Sequence, residues 1–378
     1  MTPAPLPLVP PPAFRLGAFL WKLVLTPGAA LSGTVAPALR AALGPHLPPA
    51  GVEAVLALLC FVAMSGFVTV TALVLTLAER KVAAFFQNRK GPNRVGPWGL
   101  LQPIADVVKL LQKEDTVPRA ADRPVFLLAP FMAMAATYMV LVVLPFDRGL
   151  AVTDLDLGVL YITAVSGLGV LSILMAGWAS ANKYSLLGGL RSAAQIVSYE
   201  LSPALVVLSV VLFSGTLSVQ GIVERQAAGW NLWAMGPMGV VGMLIYLTAG
   251  TAEINRAPFD LPEAESELTA GYHTEYSGMR FSMFQLAEFM NMFVVAALTA
   301  TLFLGGWQPL GPLAALHIPG YLWFFGKSGA MVFVIMWFRW TFPRVRVDQL
   351  MTLEWKILLP LSFLNLIGVA LWTALGMK

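Results

Sequence analysis

Long apolar runs dominate this chain of 378 residues and constrain its fold more than any other feature. They lie at 52–78, 125–146, 158–180, 192–214, 237–254, 281–304, 323–340 and 353–375. A helix of about 20 residues crosses the roughly 30 Å of hydrocarbon in a bilayer. Only 12% of the residues are charged, so a soluble domain could not bury this much apolar side chain. The sequence therefore predicts an all-α polytopic membrane protein with about eight transmembrane helices.

The first 50 residues form a separate, proline-rich extension ahead of a membrane domain at 51–378. Its apolar part, Phe14–Leu25, is too short to span a bilayer, and Pro27 would end or kink a helix there. A signal peptide is disfavoured because the stretch before it is proline-rich and not basic. We expect an extension that lies at the membrane interface, with an extra span as the alternative.

Lysine and arginine predict which loops face the cytoplasm. Seventeen of them fall in or beside four loops, at 79–124, 181–192, 255–280 and 339–356, and seven fall elsewhere. Cytoplasmic loops carry the excess of Lys and Arg in membrane proteins. We therefore expect these four loops, which are also the most polar, to be cytoplasmic and to carry the function.

The first of these loops begins where the first apolar run ends, and Val82–Phe86 continue the helix of that run. Its glycine- and proline-punctuated part, Asn88–Pro97, favours turns, and is either a positive-inside anchor or a docking surface for an acidic partner. Gly99–Leu111 then predicts an amphipathic helix, too short to span, that lies in the interface. Asp106 and Lys109 are spaced to pair on it. Such a helix suits the wall of a site for an amphipathic lipid.

Acidic residues form a second functional feature of the sequence, separate from the predicted lipid site. Glu200 lies inside the fourth run, where a carboxylate costs about 2.5–3.5 kcal/mol, and Pro203 leaves the carbonyl of Tyr199 without its helical donor. Glu288 lies inside the sixth run. Between them the 252–276 loop concentrates further acids: Glu253, Asp260, Glu263, Glu265, Glu267 and Glu275. Clustered carboxylates titrate together, which suits proton relay or charge sensing, although a solvated face is the alternative.

The expected charge partners of these acids are Arg256, Arg339, Arg344 and Arg346; snorkelling anchors are the alternative for the last three. Bound redox centres are not expected. Cys60 is the single cysteine and the three histidines are far apart, so neither an iron–sulfur cluster nor a metal site is predicted. Phosphate-binding and dinucleotide motifs are absent from the sequence. Any redox group would belong to another protein or be a dissolved lipid, and no nucleic-acid partner is expected.

Four long motifs carry a resemblance to a known family. They are ERKVAAFFQNRKGPNRVGPWGLLQPIADVVKLLQKED, RSAAQIVSYE, AEINRAPFDLPEAESELTAGYHTEY and FPRVRVDQLMTLEWK. Over about 52–378 the chain resembles the H subunit of bacterial NADH:quinone oxidoreductase, respiratory complex I, whose mitochondrial counterpart is the first ND subunit. The resemblance implies a multi-pass subunit of the cell inner membrane. Its expected partners are the hydrophilic quinone-site subunits, the antiporter-like and small membrane subunits, and lipid.

The resemblance also implies roles for individual residues. The substrate would be a quinone, ubiquinone or menaquinone, with no flavin or metal in this chain. Arg80, Asp106, Phe281 and Phe284 would line the quinone tunnel, although Gln285 departs from the phenylalanine-rich run. The proton path would comprise Glu79, Glu200, Glu253, Glu263, Glu265, Glu267, Glu275 and Glu288.

Two other functions stay open from the sequence. One is a quinone-independent anchor subunit of a membrane-bound hydrogenase or formate hydrogenlyase, a relative that shares parts of these motifs. The other is a secondary transporter, which tends to show inverted repeats and broken helices at the midplane of the membrane. The sequence shows no evident repeat of that kind.

Overall fold

The computed structural model describes residues 40–41, 48–148, 150–262, 265–309 and 318–376. Within these ranges the chain forms helices joined by loops, without a β-strand. Most of the proline-rich extension at 1–50 lies outside the described residues.

The helices follow one another in a simple order. They are α1 (Pro49–Phe86), α2 (Gln102–Gln112), α3 (Arg123–Val143), α4 (Gly158–Ala179), α5 (Lys183–Tyr199), α6 (Leu201–Ser214), α7 (Val219–Arg225), α8 (Asn231–Ala234), α9 (Pro237–Glu253), α10 (Glu265–Leu268), α11 (Gly278–Phe303), α12 (Gly320–Thr341), α13 (Val347–Leu353) and α14 (Leu359–Ala374). Short 3₁₀ turns occur at Pro97–Gly99 and Gly271–His273.

Seven helices are long and apolar enough to cross a membrane, counting α5–α6 and α13–α14 as one each. The remaining apolar run, 237–254, forms α9, whose 17 residues extend only about 26 Å at 1.5 Å per residue. The structure therefore confirms an all-α polytopic membrane protein, with α9 shorter than a typical span.

Two of the spans are interrupted, and each interruption lies beside a proline. The α5–α6 span is broken at Glu200, three residues before Pro203. The α13–α14 span contains a π-helical turn at Glu354–Leu358, just before Pro360. Proline has no N–H to donate to the carbonyl four residues earlier, so the regular helical ladder cannot continue through either point.

The first polar loop contains the predicted short amphipathic helix, but the helix starts later than expected. We expected the helix from Gly99, whereas α2 begins at Gln102. Gly99 has a φ of +77° instead, and a Cβ there would lie 2.3 Å from the carbonyl oxygen of Pro92. Only glycine tolerates that close approach, so Gly99 belongs to the turn that precedes the helix.

Helix α11 is the centre of the fold. In its most apolar window 78% of the residues are buried, against 22% to 50% in the other six spans. Helices α1, α3, α9 and α12 pack against it. Helices farther from it turn apolar side chains outward, as α14 does with Leu364 and Leu371. Exposed apolar surface of this kind suits contact with lipid tails or with other membrane subunits.

The C-terminal end of α11 is held by a buried lysine. Lys327 Nζ donates to the carbonyl oxygens of Leu304, Gly306 and Gln308 at 2.6, 2.9 and 2.5 Å, and it lies 4.3 Å from the ring centroid of Trp230. Counting charges along the sequence treats Lys327 as an ordinary outer cation. Its charge is instead buried where the carbonyls after a helix end carry partial negative charge.

The four polar loops meet at one end of the bundle. Four contacts join them to one another: Arg280 to Asp115 (3.1 Å), Asn182 to Glu275 (2.6 Å), Arg191 to Glu267 (2.7 Å), and Val345 N to Pro258 O (3.0 Å). The loops therefore form one layer over the membrane-spanning helices.

Candidate functional site

A cavity of about 450 Å³ lies inside the helix bundle below this loop layer. Its walls are mostly apolar, yet the side chains of Glu200, Glu253 and Glu288 all line it. The three carboxylates come from different elements: the α5–α6 junction, the last turn of α9, and α11. The fold thus brings together three of the acids that the sequence singles out, although they are far apart along the chain.

Glu200 enters the cavity at a point where the backbone is already irregular. Its own carbonyl still accepts the N–H of Ala204, at 3.2 Å, so the chain continues helically beyond the break. Glu200 Oε1 is buried and has no hydrogen-bond partner among the described residues. Gly167 of α4 faces this oxygen, and a Cβ there would lie 4.0 Å from it. This carboxyl group therefore has room for a proton or a water molecule beside it.

Arg256 connects the cavity to the first loop. Its Nη1 donates to both carboxylate oxygens of Glu79, at 2.9 and 3.0 Å, and its Nε forms an ion pair with Glu288 at 2.7 Å. The guanidinium also lies 4.6 Å from the ring centroid of Phe289. Arg339 contacts the same Glu79 carboxylate from α12. One buried arginine is thus shared by two carboxylates from α1 and α11.

A buried glutamine holds the loop that carries Arg256. Gln195 Nε2 of α5 donates to the carbonyl oxygens of Ala252 and Phe259, at 2.7 and 2.8 Å. These two carbonyls lie on either side of Arg256 in the chain. Because an unpaired buried carbonyl is costly, both hydrogen bonds favour this one loop conformation. The sequence contains little sign of this role, since Gln195 lies in an apolar run.

Arg80 and Asp106, which the resemblance assigns to the tunnel lining, form an ion pair with each other. Arg80 Nη1 lies 2.5 Å from Asp106 Oδ2, joining α1 to α2. The expected pair between Asp106 and Lys109 is weaker, with Lys109 Nζ 3.9 Å from the other oxygen, Oδ1. On α2 the apolar side chains of Ile104, Val108 and Leu111 are exposed. They form an open apolar surface beside a charged pair, which suits an amphipathic molecule.

The two phenylalanines assigned to the quinone tunnel differ in position. Phe284 is buried and lines the cavity, whereas Phe281 is only partly buried and does not line it. Phe284 packs edge-on against Tyr276, with ring centroids 5.0 Å apart. The Tyr276 hydroxyl donates to Phe126 O at 3.1 Å, and burial raises the pKa of that hydroxyl, which keeps it a donor.

The acidic loop lies partly outside the cavity. Glu267 is exposed, 2.7 Å from Arg191 and 4.0 Å from Arg344. The hydrogen bond from Arg191, then the charge of Arg344, lower the pKa of Glu267 below its ordinary value. Glu275 accepts from Asn182 at 2.6 Å. Neither of these carboxylates lines the cavity, so they belong to the loop layer above it.

Two of the arginines that were expected to pair with the acidic loop make other contacts. Arg339 contacts Glu79, not the acidic loop, because α12 packs beside α1. Arg346 forms no ion pair with any residue that the structure describes; its backbone N–H donates to Gln349 Oε1 at 3.2 Å. Glu263 lies outside the described residues, and Glu265 begins the short helix α10.

Glu354 is a buried carboxylate that sequence reasoning missed. It is 1% exposed, and its Oε1 lies 2.5 Å from Ser202 Oγ. The 353–375 run places it at the inner end of a predicted span, where an acid is unremarkable in a sequence. Pro360, six residues later, is the one local signal of irregular helix at this position.

No three His, Cys, Asp or Glu side chains converge as a metal-binding group among the residues with assigned positions. The groups that do converge are carboxylates and arginines around an internal cavity. Such an arrangement can bind and release protons and respond to a nearby charge. Fold and site together define a polytopic α-helical membrane protein with an acidic interior.

Comparison with known proteins identifies the family. Residues 58–370 match the family model described as NADH dehydrogenase. The H subunit of the NADH-quinone oxidoreductase of Bacteroides thetaiotaomicron is 49% identical over 332 residues, 86% of this chain and 92% of the relative. The H subunit of the Anoxybacillus flavithermus enzyme is 54% identical over 296 residues, 78% of this chain and 87% of the relative. The chain therefore belongs to the H-subunit family of NADH-quinone oxidoreductases, as its motifs indicate.

Proposed function

We propose that this chain is a membrane subunit of a proton-translocating NADH:quinone oxidoreductase, in which it forms the quinone-access wall and the first part of the proton path. The two roles belong to two parts of the structure. The wall comprises α2 with Arg80 and Asp106. The proton path comprises the carboxylates around the cavity.

The observation that carries the proposal is a series of charged side chains between these two parts, in which one step runs along the backbone of α1. Asp106 pairs with Arg80, and Arg80 follows Glu79 in the chain. Glu79 is bound by Arg256, which also pairs with Glu288 at the cavity. The pairs of Arg256 with Glu79 and Glu288 are buried and poorly screened, so a change of charge near the start of this series acts on the cavity.

The chemistry of quinone supplies such a change. Reduction of a quinone to a quinol takes up two electrons and two protons, so protons must be drawn to the headgroup. Electrons that reach the headgroup before its protons add negative charge near Arg80, and this charge shifts the balance of Arg256 between Glu79 and Glu288. A carboxylate that loses part of its contact with Arg256 gains proton affinity. Protonation of Glu288 would then pass the change to Glu253 and Glu200 across the cavity.

The redox centre and the pumping machinery would belong to other subunits of the complex. We place the loop layer on the cytoplasmic side of the cell inner membrane, where it meets the hydrophilic quinone-site subunits. The excess of Lys and Arg in these loops supports that side. Glu267, Glu275 and the other loop acids would sense charge at this contact. Exposed apolar faces of the spans would meet lipid and the membrane-arm subunits.

The test is Glu200→Gln in the assembled complex, with Glu224→Gln as the matched control, since Glu224 is exposed on α7. Glutamine keeps the shape of the side chain but cannot carry a proton. We expect fewer protons pumped per NADH for Glu200→Gln and no change for Glu224→Gln. Unchanged proton pumping in the Glu200 variant would contradict the role. Co-purification with a nickel–iron subunit and no NADH-oxidising arm would favour the hydrogenase alternative.

A further inference from the structure

Glu354 is a buried acid that belongs neither to the cavity nor to the access wall. It lies in the membrane-spanning α13–α14 segment, is 1% exposed, and does not line the cavity. A charged side chain inside a membrane span is costly unless a partner of opposite charge lies close. The state of this carboxyl group therefore depends on the side chains packed against it.

The contacts of Glu354 are neutral. Ser202 Oγ of α6 lies 2.5 Å from Oε1, and no Lys, Arg or His forms an ion pair with this carboxyl group in the described part of the chain. The second oxygen, Oε2, is buried and has no hydrogen-bond partner among the described residues. Tyr199 of α5 is the titratable group beside it, and its hydroxyl donates to Leu350 O at 3.0 Å.

These contacts favour the protonated form of the carboxyl group. An ionised carboxylate would be buried against a serine hydroxyl and apolar side chains, without a compensating cation. A neutral carboxylic acid costs less to bury than a carboxylate, and Ser202 Oγ donates a hydrogen bond to its Oε1. The unpartnered Oε2 is then the position from which a proton leaves or to which it returns.

The local backbone connects Glu354 to the helix break at Glu200. Glu354 lies on a π-helical turn, and Glu200 lies on the α5–α6 break, so both interrupted helices carry a carboxylate at the interruption. Ser202, which contacts Glu354, is two residues beyond Glu200. Successive helical residues are rotated by about 100°, so Ser202 lies on the side of its helix away from Glu200. The cavity is accordingly lined by Glu200, Leu201 and Pro203 but not by Ser202.

We propose that Glu354 is a further proton-binding carboxyl group of this chain, linked through Ser202 to the helix break at Glu200 and located on the α14 side of that helix. The assignment of a protonated group at this position does not depend on the function proposed above. Only the use of its proton in pumping rests on that function.

Infrared difference spectroscopy of the assembled complex, oxidised against NADH-reduced, tests the proposal. We expect a carbonyl-stretching band of a protonated carboxyl group that shifts in D₂O and is lost in Glu354→Gln. Ser202→Ala should shift this band to higher frequency, because it removes a hydrogen bond from the same group. Glu200→Gln should also move it, because the two groups are linked through one helical turn. Glu224→Gln should leave it unchanged.

Two results would overturn the proposal. One is a Glu354→Gln spectrum that matches the unmodified complex. The other, which also applies if Glu354→Gln does not assemble, is a Ser202→Ala spectrum with every carboxyl band in place. Failure of the pumping proposal looks different: proton translocation would be unchanged in Glu200→Gln while the Glu354 band is still present.

Discussion

Arg256 contacts both carboxylate oxygens of Glu79, at 2.9 and 3.0 Å, although the two residues are 177 positions apart. The same guanidinium pairs with Glu288 at 2.7 Å. It is 5% exposed, so water does not replace these contacts when they are lost. Three elements that are distant in sequence are thereby joined by one side chain.

Replacing Arg256 by methionine should therefore be strongly destabilising. Methionine fills similar space but leaves Glu288 without this cation, and breaking a buried ion pair from one side costs about 3–5 kcal/mol. Arg256→Lys should be less destabilising than Arg256→Met, because lysine keeps the charge but not the bidentate contact with Glu79. The thermal unfolding midpoint of the assembled complex measures the effect. Arg225→Gln, exposed on α7, is the control, and an equal loss in it would refute this interpretation.

The Arg80–Asp106 pair should affect quinone kinetics more than stability. The two side chains are 43% and 21% exposed, and pairs of this kind contribute about 0–1 kcal/mol. We expect Arg80→Gln and Asp106→Asn each to raise the KM for a short-chain quinone, with little further rise in the double variant. Steady-state NADH oxidation in membranes gives these values. Lys109→Gln, 3.9 Å from Asp106, should have a much smaller effect. Additive increases in KM would show that the two residues act separately.

Gly188 should not tolerate even one extra methyl group. A Cβ at this position of α5 would lie 2.8 Å from the Cα of Gly271, a backbone atom that cannot move aside cheaply. Gly188→Ala should push α5 away from the 271–273 turn and cost about 1–3 kcal/mol. In Gly329→Ala the added Cβ meets no atom within 4 Å, so that variant should unfold at or above the midpoint of the parent. Equal midpoints for the two variants would argue against close packing at Gly188.

The Glu267–Arg191 contact should depend on pH and salt. The hydrogen bond from Arg191 lowers the pKa of Glu267 below its ordinary value of 4.5. A lowered pKa in the folded state stabilises the fold above the ordinary value, and this stabilisation is lost as the pH falls through the lowered pKa. The difference in thermal midpoint between the parent and Glu267→Gln should be constant from about pH 8 to about pH 5 and shrink below pH 4.5. High salt should reduce it at every pH because the pair is exposed.

Much of the architecture could be predicted because it follows from local properties. Apolar length predicts spans wherever they reach about 20 residues, and helix α9 is shorter because its run is shorter. The break at Glu200 also has a local cause, Pro203. The shift of the α2 start from Gly99 to Gln102 shows the limit, since the close approach to Pro92 is not visible in the order of residues.

The pairing of charges could not be predicted in the same way. Arg339 was expected opposite the acidic loop because both lie on the same side of the membrane. Helix packing places it against Glu79 instead. Lys327 looks like a surface cation in sequence, yet the carbonyls after α11 surround it. Which groups a buried charge contacts depends on distances of a few ångströms between helices. The sequence carries that information only indirectly.

By itself, the sequence determined the class of this protein, its family and the residues that carry charge into the membrane, because apolar length, local breakers and long motifs are all properties of consecutive residues. Only the tertiary structure decided which of those charges meet. It set Glu200, Glu253 and Glu288 around one cavity and Arg256 between two carboxylates. It also buried Glu354 against Ser202. Electrostatic interaction inside a membrane depends on separation and burial, and both arise only when the helices pack.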